Sequence, residues 1–148
     1  MTKVLAQFDL VAPKYPKGNG LMDPFYSSAS YVNGLAEAHP GFVWREKNED
    51  LELLKELWGE GYLYTLSVWS DVESLKGFLF NTPHVEFMRR GRDWFNPWVQ
   101  PRLVLWWIDQ GSIPTLHDAH ERLTLLYERG PSYEAFDLHS CDFPVSMY

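Results

Sequence analysis

The sequence predicts an α+β domain of the ferredoxin-like type: β α β, an ambiguous segment, then β α β α. Three observations carry this. Residues 3–11 alternate strictly, with Val4, Ala6, Phe8 and Leu10 on one face and Leu5, Gln7, Asp9 and Val11 on the other. Residues 62–69 and 102–108 are two further runs of aromatic and β-branched residues. Between these runs lie segments with helical spacing and helix-start residues. Two βαβ halves joined by right-handed crossovers make a four-stranded antiparallel sheet with helices on one face.

The elements follow in order. Pro13, Pro16, Gly18 and Gly20 mark a loop after the first strand. Asp23-Pro24 opens a helix, since Asp accepts backbone N–H bonds and Pro suits the first helical position. Phe25, Ala29, Val32 and Ala36 recur along it, and His39-Pro40-Gly41 ends it. Phe42 to Glu46 reads as a short strand. Residues 47–61 hold a helical turn or two, from Leu51, Leu54 and Leu57, closed by Gly59 and Gly61. Ser70 with Glu73 fits a capping box for the next helix. Asn81-Thr82-Pro83 interrupts that helix, and Thr82 caps a further piece running to about Phe95. Pro97 and Pro101 bound the next break. The continuous apolar run 102–108 fits a strand covered on both faces. A last helix spans about 115–128, stopped by Gly130-Pro131. Residues 1–138 are read as one domain and 139–148 as an irregular tail. With few elements left to cover the second sheet face, a second copy packed sheet against sheet is expected to bury it.

Composition bounds the function. The 148 residues are 45% hydrophobic and 22% charged, enough apolar content for a real core. Aromatics reach 16%, with seven Trp, eight Tyr and nine Phe, which serve a dense core, a flat-walled pocket or an interface. The formal net charge of −7 and the lack of a basic stripe exclude nucleic acid as the expected partner and disfavour an anionic membrane surface. The single cysteine, Cys141, rules out an internal disulfide. No apolar run approaches the roughly 18–20 residues that span a bilayer. The start has no leader pattern, so a cytoplasmic location is expected.

Several segments in sequence resemble one known family. They are LAQFDL (5–10), HPGFVWRE (39–46), LSVWSDVESLKGF (66–78), HVEFMRRGRDWF (84–95), LVLWWIDQGSIPT (103–115) and GPSYEAF (130–136). Together they resemble the DUF3291 family over roughly residues 4–138. That family is grouped with the dimeric α+β barrels, which include the antibiotic-biosynthesis monooxygenases. Gly91 after Arg89-Arg90, and His39 before Pro40-Gly41, depart from the family pattern. The resemblance implies a dimeric α+β barrel, but not one reaction: relatives include cofactor-free oxygenases of aromatic polyketides, haem-binding enzymes, isomerases and cyclases.

Candidate chemistry rests on few residues. His84 lies at a helix start, where free N–H groups and the helix dipole favour a neutral imidazole, the form a general base or metal ligand needs. It shares a helical face with Phe87, Met88, Gly91 and Phe95, a face expected to point at the sheet. The spacing from Trp69 to His84 also resembles haem-binding relatives, so haem through His84 is the alternative to a cofactor-free site. Arg45 needs a carboxylate partner or an anionic ligand. Gln7 orients a substrate, and Asp9 accepts a proton, if their face lines the pocket. Tyr62 and Tyr64 offer hydroxyls. Trp69, Trp94 and Trp106 are candidate walls. Trp106 and Trp107 point to opposite sides of their strand, one toward the helices and one toward the expected dimer seam. His117 and His120 lack a third ligand for a metal site. There is no GxSxG, P-loop or GxGxxG. The expected function is an enzyme acting without a cofactor on a hydrophobic, aromatic or polycyclic small molecule, as monooxygenase or as cyclase/isomerase. A haem protein or a non-enzymatic ligand-binding dimer is the alternative.

Overall fold

A computed structural model describes residues 2–97 and 100–141. Its strands are β1 (Lys3–Val11), β2 (Phe42–Arg45), β3 (Leu63–Trp69) and β4 (Leu103–Asp109). Its helices are α1 (Asp23–Ala38), α2 (Leu51–Trp58), α3 (Val72–Asn81), α4 (His84–Arg89), α5 (Gly91–Trp94) and α6 (Leu116–Arg129). The sheet order is β2-β3-β1-β4, with every neighbouring pair antiparallel. This is the ferredoxin-like order expected from the element sequence. Much of the tail expected over 139–148 lies outside the described residues.

Local sequence explains the boundaries. Pro24 stands in the first turn of α1, and His39 turns extended to end it. The cap of α3 is Asp71, whose carboxylate accepts from Ser74 N–H at 2.8 Å, rather than the expected Ser70. Aspartate is the stronger acceptor of the two neighbours. Thr82 Oγ1 donates to Phe78 O at 2.6 Å and accepts from His84 N–H at 3.2 Å, so it closes α3 and opens α4. Thr115 and Asp118 form a reciprocal capping box at α6.

The sheet is covered on both faces. On one side lie Leu5, Trp69, Leu105 and Trp107, packed with Ala36 of α1 and with Leu75 and Phe78 of α3. On the other, Ala6, Phe8, Leu10, Leu66, Val104 and Trp106 pack under Leu54 of α2 and under Leu116, Ala119, Leu123 and Leu126 of α6. Phe8 stacks on Trp58 with ring centroids 4.9 Å apart. The expectation that this second face requires another copy of the chain is therefore corrected. The 47–61 segment and the last helix supply the roof, because each carries an apolar stripe that has to be buried. The chain after α6 also joins the core: Phe136 exchanges backbone hydrogen bonds with Leu105 on the outer edge of β4 and is fully buried.

If α6 seals this face, Leu123→Ala should destabilise the protein by about 2–5 kcal/mol in urea unfolding, the cost of a cavity at a buried leucine. It should also speed amide hydrogen exchange in β4. A loss below about 1 kcal/mol, the range of a surface change, would show that α6 is not a structural roof.

Candidate active-site cleft

The face under α1 differs from the sealed face because it carries polar residues, with Gln7 and Ser67 buried and Thr65 exposed. Trp69 Nε1 donates to Ser67 Oγ at 3.0 Å, and Ser67 Oγ donates to Gln7 Oε1 at 2.6 Å. Gln7 Nε2 donates to Thr65 Oγ1 at 3.2 Å. This relay crosses from β3 to β1 and fixes the Gln7 amide. Thr65, at its end, is exposed, so solvent reaches the floor of the sheet there. Asp9 pairs in register with Thr65.

Helix α1 covers this face with few buried residues of its own. Of its residues, Ala36, near the C-terminal end, is the buried one. Phe25, Tyr26, Val32 and Asn33 stay partly accessible. An aromatic wall stands at the other end. Trp94 is buried, its ring 5.7 Å from Phe25 and 6.3 Å from Phe87, with the Arg90 guanidinium 4.5 Å over it. Backbone bonds from Lys14 N to Trp94 O and from Asn96 N to Ala12 O tie this wall to the end of β1.

Asp9 is the perturbed acid of this face. Its side chain is 24% exposed, yet Oδ1 itself is closed off and makes no hydrogen bond among the described residues. Arg102 Nε lies 3.4 Å from Oδ1, a charge contact. Burial raises the carboxyl to about 6, outweighing the opposing pull of Arg102 and of the Leu10 backbone. Trp94 Nε1 and Trp107 Nε1 are likewise buried without a partner among the described residues. An acid raised toward neutrality beside an exposed threonine can take or give a proton.

The other candidates fall elsewhere. His84 packs on Phe78 at 4.7 Å, and its Nδ1 meets Leu79 O at 3.3 Å. A carbonyl only accepts, so Nδ1 carries the proton. Burial holds the imidazole below its ordinary pKa. Phe78 also stacks on Trp69 at 5.2 Å, so a phenyl ring occupies the space between Trp69 and His84. That arrangement does not fit a haem held by His84 against Trp69. The His84 ring turns toward α3 rather than the sheet, and Met88 is 41% exposed. Phe87 and Phe95, of the same helical face, both meet Trp94, at 6.3 and 6.4 Å between ring centroids. Arg45 bonds Glu37 Oε1 through Nε and Nη2, both at 3.3 Å, and Lys47 shares the same carboxylate.

Tyr64 and Trp106 belong to the sealed face, and Tyr62 packs against it. Tyr64 Oη donates to Glu46 and accepts from Asp50 N–H at 2.9 Å, and burial raises its pKa. Trp107, not Trp106, shares the face of Gln7 and Asp9. Among the described residues no group of three His, Cys, Asp or Glu side chains is placed to hold a metal ion.

Residues 4–146 match the family described as "Domain of unknown function (DUF3291)". The chain belongs to the DUF3291 family. No curated protein matches it. Among solved structures, PA3566 from Pseudomonas aeruginosa is similar at 13% identity and a TM-score of 0.50, over 76% of this chain and 98% of that one. A protein of unknown function from Nitrosomonas europaea, NE2512, is similar at 12% identity and TM-score 0.48, over 77% and 95%. SnoaB from Streptomyces nogalater, a cofactor-independent oxygenase, is similar at 15% identity and TM-score 0.42, over 78% and 98%. At these identities PA3566 shares the fold with this DUF3291 chain, and the two weaker likenesses carry no argument.

Sequence reasoning missed Thr65, Ser67, Arg102 and Phe25. Ser67 and Thr65 stand two and four residues before Trp69, so strand parity alone places them on its face. Arg102 had no such signal, because it lies beside Asp9 through the pairing of β4 with β1.

The raised Asp9 pKa has a definite sign for stability. The folded state holds its proton more tightly than the unfolded state, so stability falls as pH rises from about 4 to about 6. Asp9→Asn should remove that slope and stabilise the protein at pH 7 by about 1–2 kcal/mol, with the residual exposure lowering the full two-unit value. Urea melts at pH 4, 5, 6 and 7 measure both.

Proposed function

We propose that this protein is an acid–base enzyme acting on a mostly apolar small molecule in the cleft between the sheet and helices α1, α4 and α5. The observation that carries this is Asp9: a carboxyl pushed up to about 6, with one oxygen that meets Arg102 but makes no hydrogen bond among the described residues, beside the solvent-reached Thr65. In its ionised form Asp9 removes a proton from the substrate, and Arg102 at 3.4 Å offsets the charge of the carboxylate. Gln7, locked by Ser67 and Thr65, orients the substrate. Phe25, Phe87 and Trp94 form apolar walls.

Removal of a proton next to a carbonyl, or from a phenol, gives an electron-rich anion. That anion either rearranges or closes a ring, as in a cyclase or isomerase, or reacts with dioxygen, as in a cofactor-free monooxygenase. The proton transfer is common to both and is the step these residues support. His84, packed on Phe78 with its Nδ1 donating to Leu79 O, is not assigned this step.

The test is proton exchange. A panel of phenols and enolisable aromatic ketones is incubated with the protein in deuterium oxide and followed by NMR. At least one member should take up deuterium faster with protein, with a rising limb near pH 6. Asp9→Asn should lower that rate by roughly 10²–10⁴-fold, the usual worth of a general base. His84→Ala should leave it within a few-fold. Undiminished exchange in Asp9→Asn would contradict the assignment.

A further inference from the structure

Arg89, Arg90 and Arg92 stand together where α4 meets α5, with Glu86 and Asp93 on the same two helices. The fold brings the loop between β1 and α1 onto this run. Lys14 N–H donates to Trp94 O at 2.7 Å, and Lys14 Nζ donates to Arg92 O, 78 positions away in the sequence. That loop, residues 12–22, contributes Lys14 and Lys17 and no acid. Five bases and two acids therefore gather at the aromatic wall of a chain whose formal net charge is −7.

Both acids are already engaged. Glu86 pairs with Arg89 at 2.6 Å, and Asp93 with Arg90 at 3.8 Å. The Arg90 guanidinium also lies 4.5 Å over the Trp94 ring. Lys17 lies 5.4 Å over the Tyr26 ring and acts on the Glu49 charge. Arg92 and Lys14 are left over. Both are exposed, and neither has a carboxylate in ion-pair range among the described residues. Trp94 Nε1, buried in the wall itself, is a third donor without an acceptor among the described residues. The polar groups left over beside this wall are thus donors, and Asp9, the free acceptor of the cleft, faces Arg102.

We propose that the ligand of the cleft is an aromatic molecule bearing an anionic group, its ring against Phe25, Phe87 and Trp94 and its charge at Lys14 and Arg92. This rests on the reading of the cleft as a ligand site and adds the charge of what the cleft takes. The rest of an acidic chain repels an anion, so a local surplus of bases steers and orients it. Exposed bases hold a bare ion only weakly, because water and salt screen them. The affinity therefore has to come from the ring on the wall, and the bases select which ring is kept. An anion beside Asp9 itself would meet a like charge once Asp9 ionises, so the rim is where it fits. An aromatic carboxylate is the simplest molecule with both parts.

The probes are 2-naphthoate and its neutral methyl ester, titrated into the full chain and followed by amide and indole NMR signals. Both should give saturable shifts centred on Phe87 and Trp94, with the acid about fivefold tighter, the worth of exposed charge pairs. That preference should shrink when ionic strength rises from about 0.02 M to about 0.5 M. Arg92→Gln, an exposed change, should reduce the preference, and Lys14→Gln with Arg92→Gln should erase it, both without changing the affinity for the ester. Lys55→Gln removes the same charge from α2 and should leave the preference intact. Equal affinities for acid and ester would overturn the anionic group and leave the cleft standing. A preference untouched by Arg92→Gln, or lowered as much by Lys55→Gln, would overturn the assignment to this rim. If neither probe binds at Trp94 the proposal falls, and the deuterium-exchange test decides separately whether the cleft falls with it.

Discussion

Strand β1 carries the rest of the structure. It is hydrogen-bonded along both edges, to β3 and to β4, and it is packed on both faces. Every polar group on such a strand has to find its partner inside the protein, because water cannot supply one. Gln7 meets this condition through Ser67 and Thr65. Asp9, two residues on, meets it incompletely: a guanidinium nearby, one oxygen without a hydrogen bond, and solvent at a neighbouring threonine. The strained protonation of Asp9 follows from its place on the strand.

The two faces of the sheet divide stability from chemistry. Under α2 and α6 the residues of β1, β3 and β4 are almost wholly apolar and closed, and Tyr64, the polar exception, is fully engaged by Glu46 and Asp50. Under α1 the sheet is polar along one diagonal and partly open. A sealed core on one side is what permits an under-packed helix on the other. It also changes the meaning of assembly for this fold, since a second copy of the chain would meet the outer surfaces of α2 and α6 rather than a bare sheet. Among the described residues no helix is long and apolar enough to cross a membrane.

Much of this was legible in the residues. Period-two alternation sorted β1 correctly into its two sets, and the helix-start residues at Asp23-Pro24 and Thr82 mark real boundaries. Parity sorts residues into faces but does not say which face is which. For that reason parity names Trp106 as a candidate wall without fixing its face, and the packing puts Trp106 under α2 and α6 and Trp107 on the face of Gln7 and Asp9. The sequence order of elements likewise does not reveal where an amphipathic helix docks. The 47–61 segment and the last helix read as helical in sequence, and only the packing shows that they close the second face. His84 was singled out by its helix-start position, which is real. Its ring direction depends on the break at Thr82-Pro83 and on Phe78, a tertiary contact that helical spacing within α4 does not encode.

The central claim is that Asp9 is a proton-transfer group produced by burial on a central strand, and its own titration tests it most directly. The Asp9 carboxyl carbon can be followed by ¹³C NMR from pH 3 to pH 8 in the full chain, with Asp9→Asn assigning the signal. A midpoint about two units above that of an ordinary aspartate, which is near 3.9, is predicted. A midpoint at or below the ordinary value would contradict it, because the Arg102 charge would then outweigh burial and leave a carboxylate too weakly basic for the role.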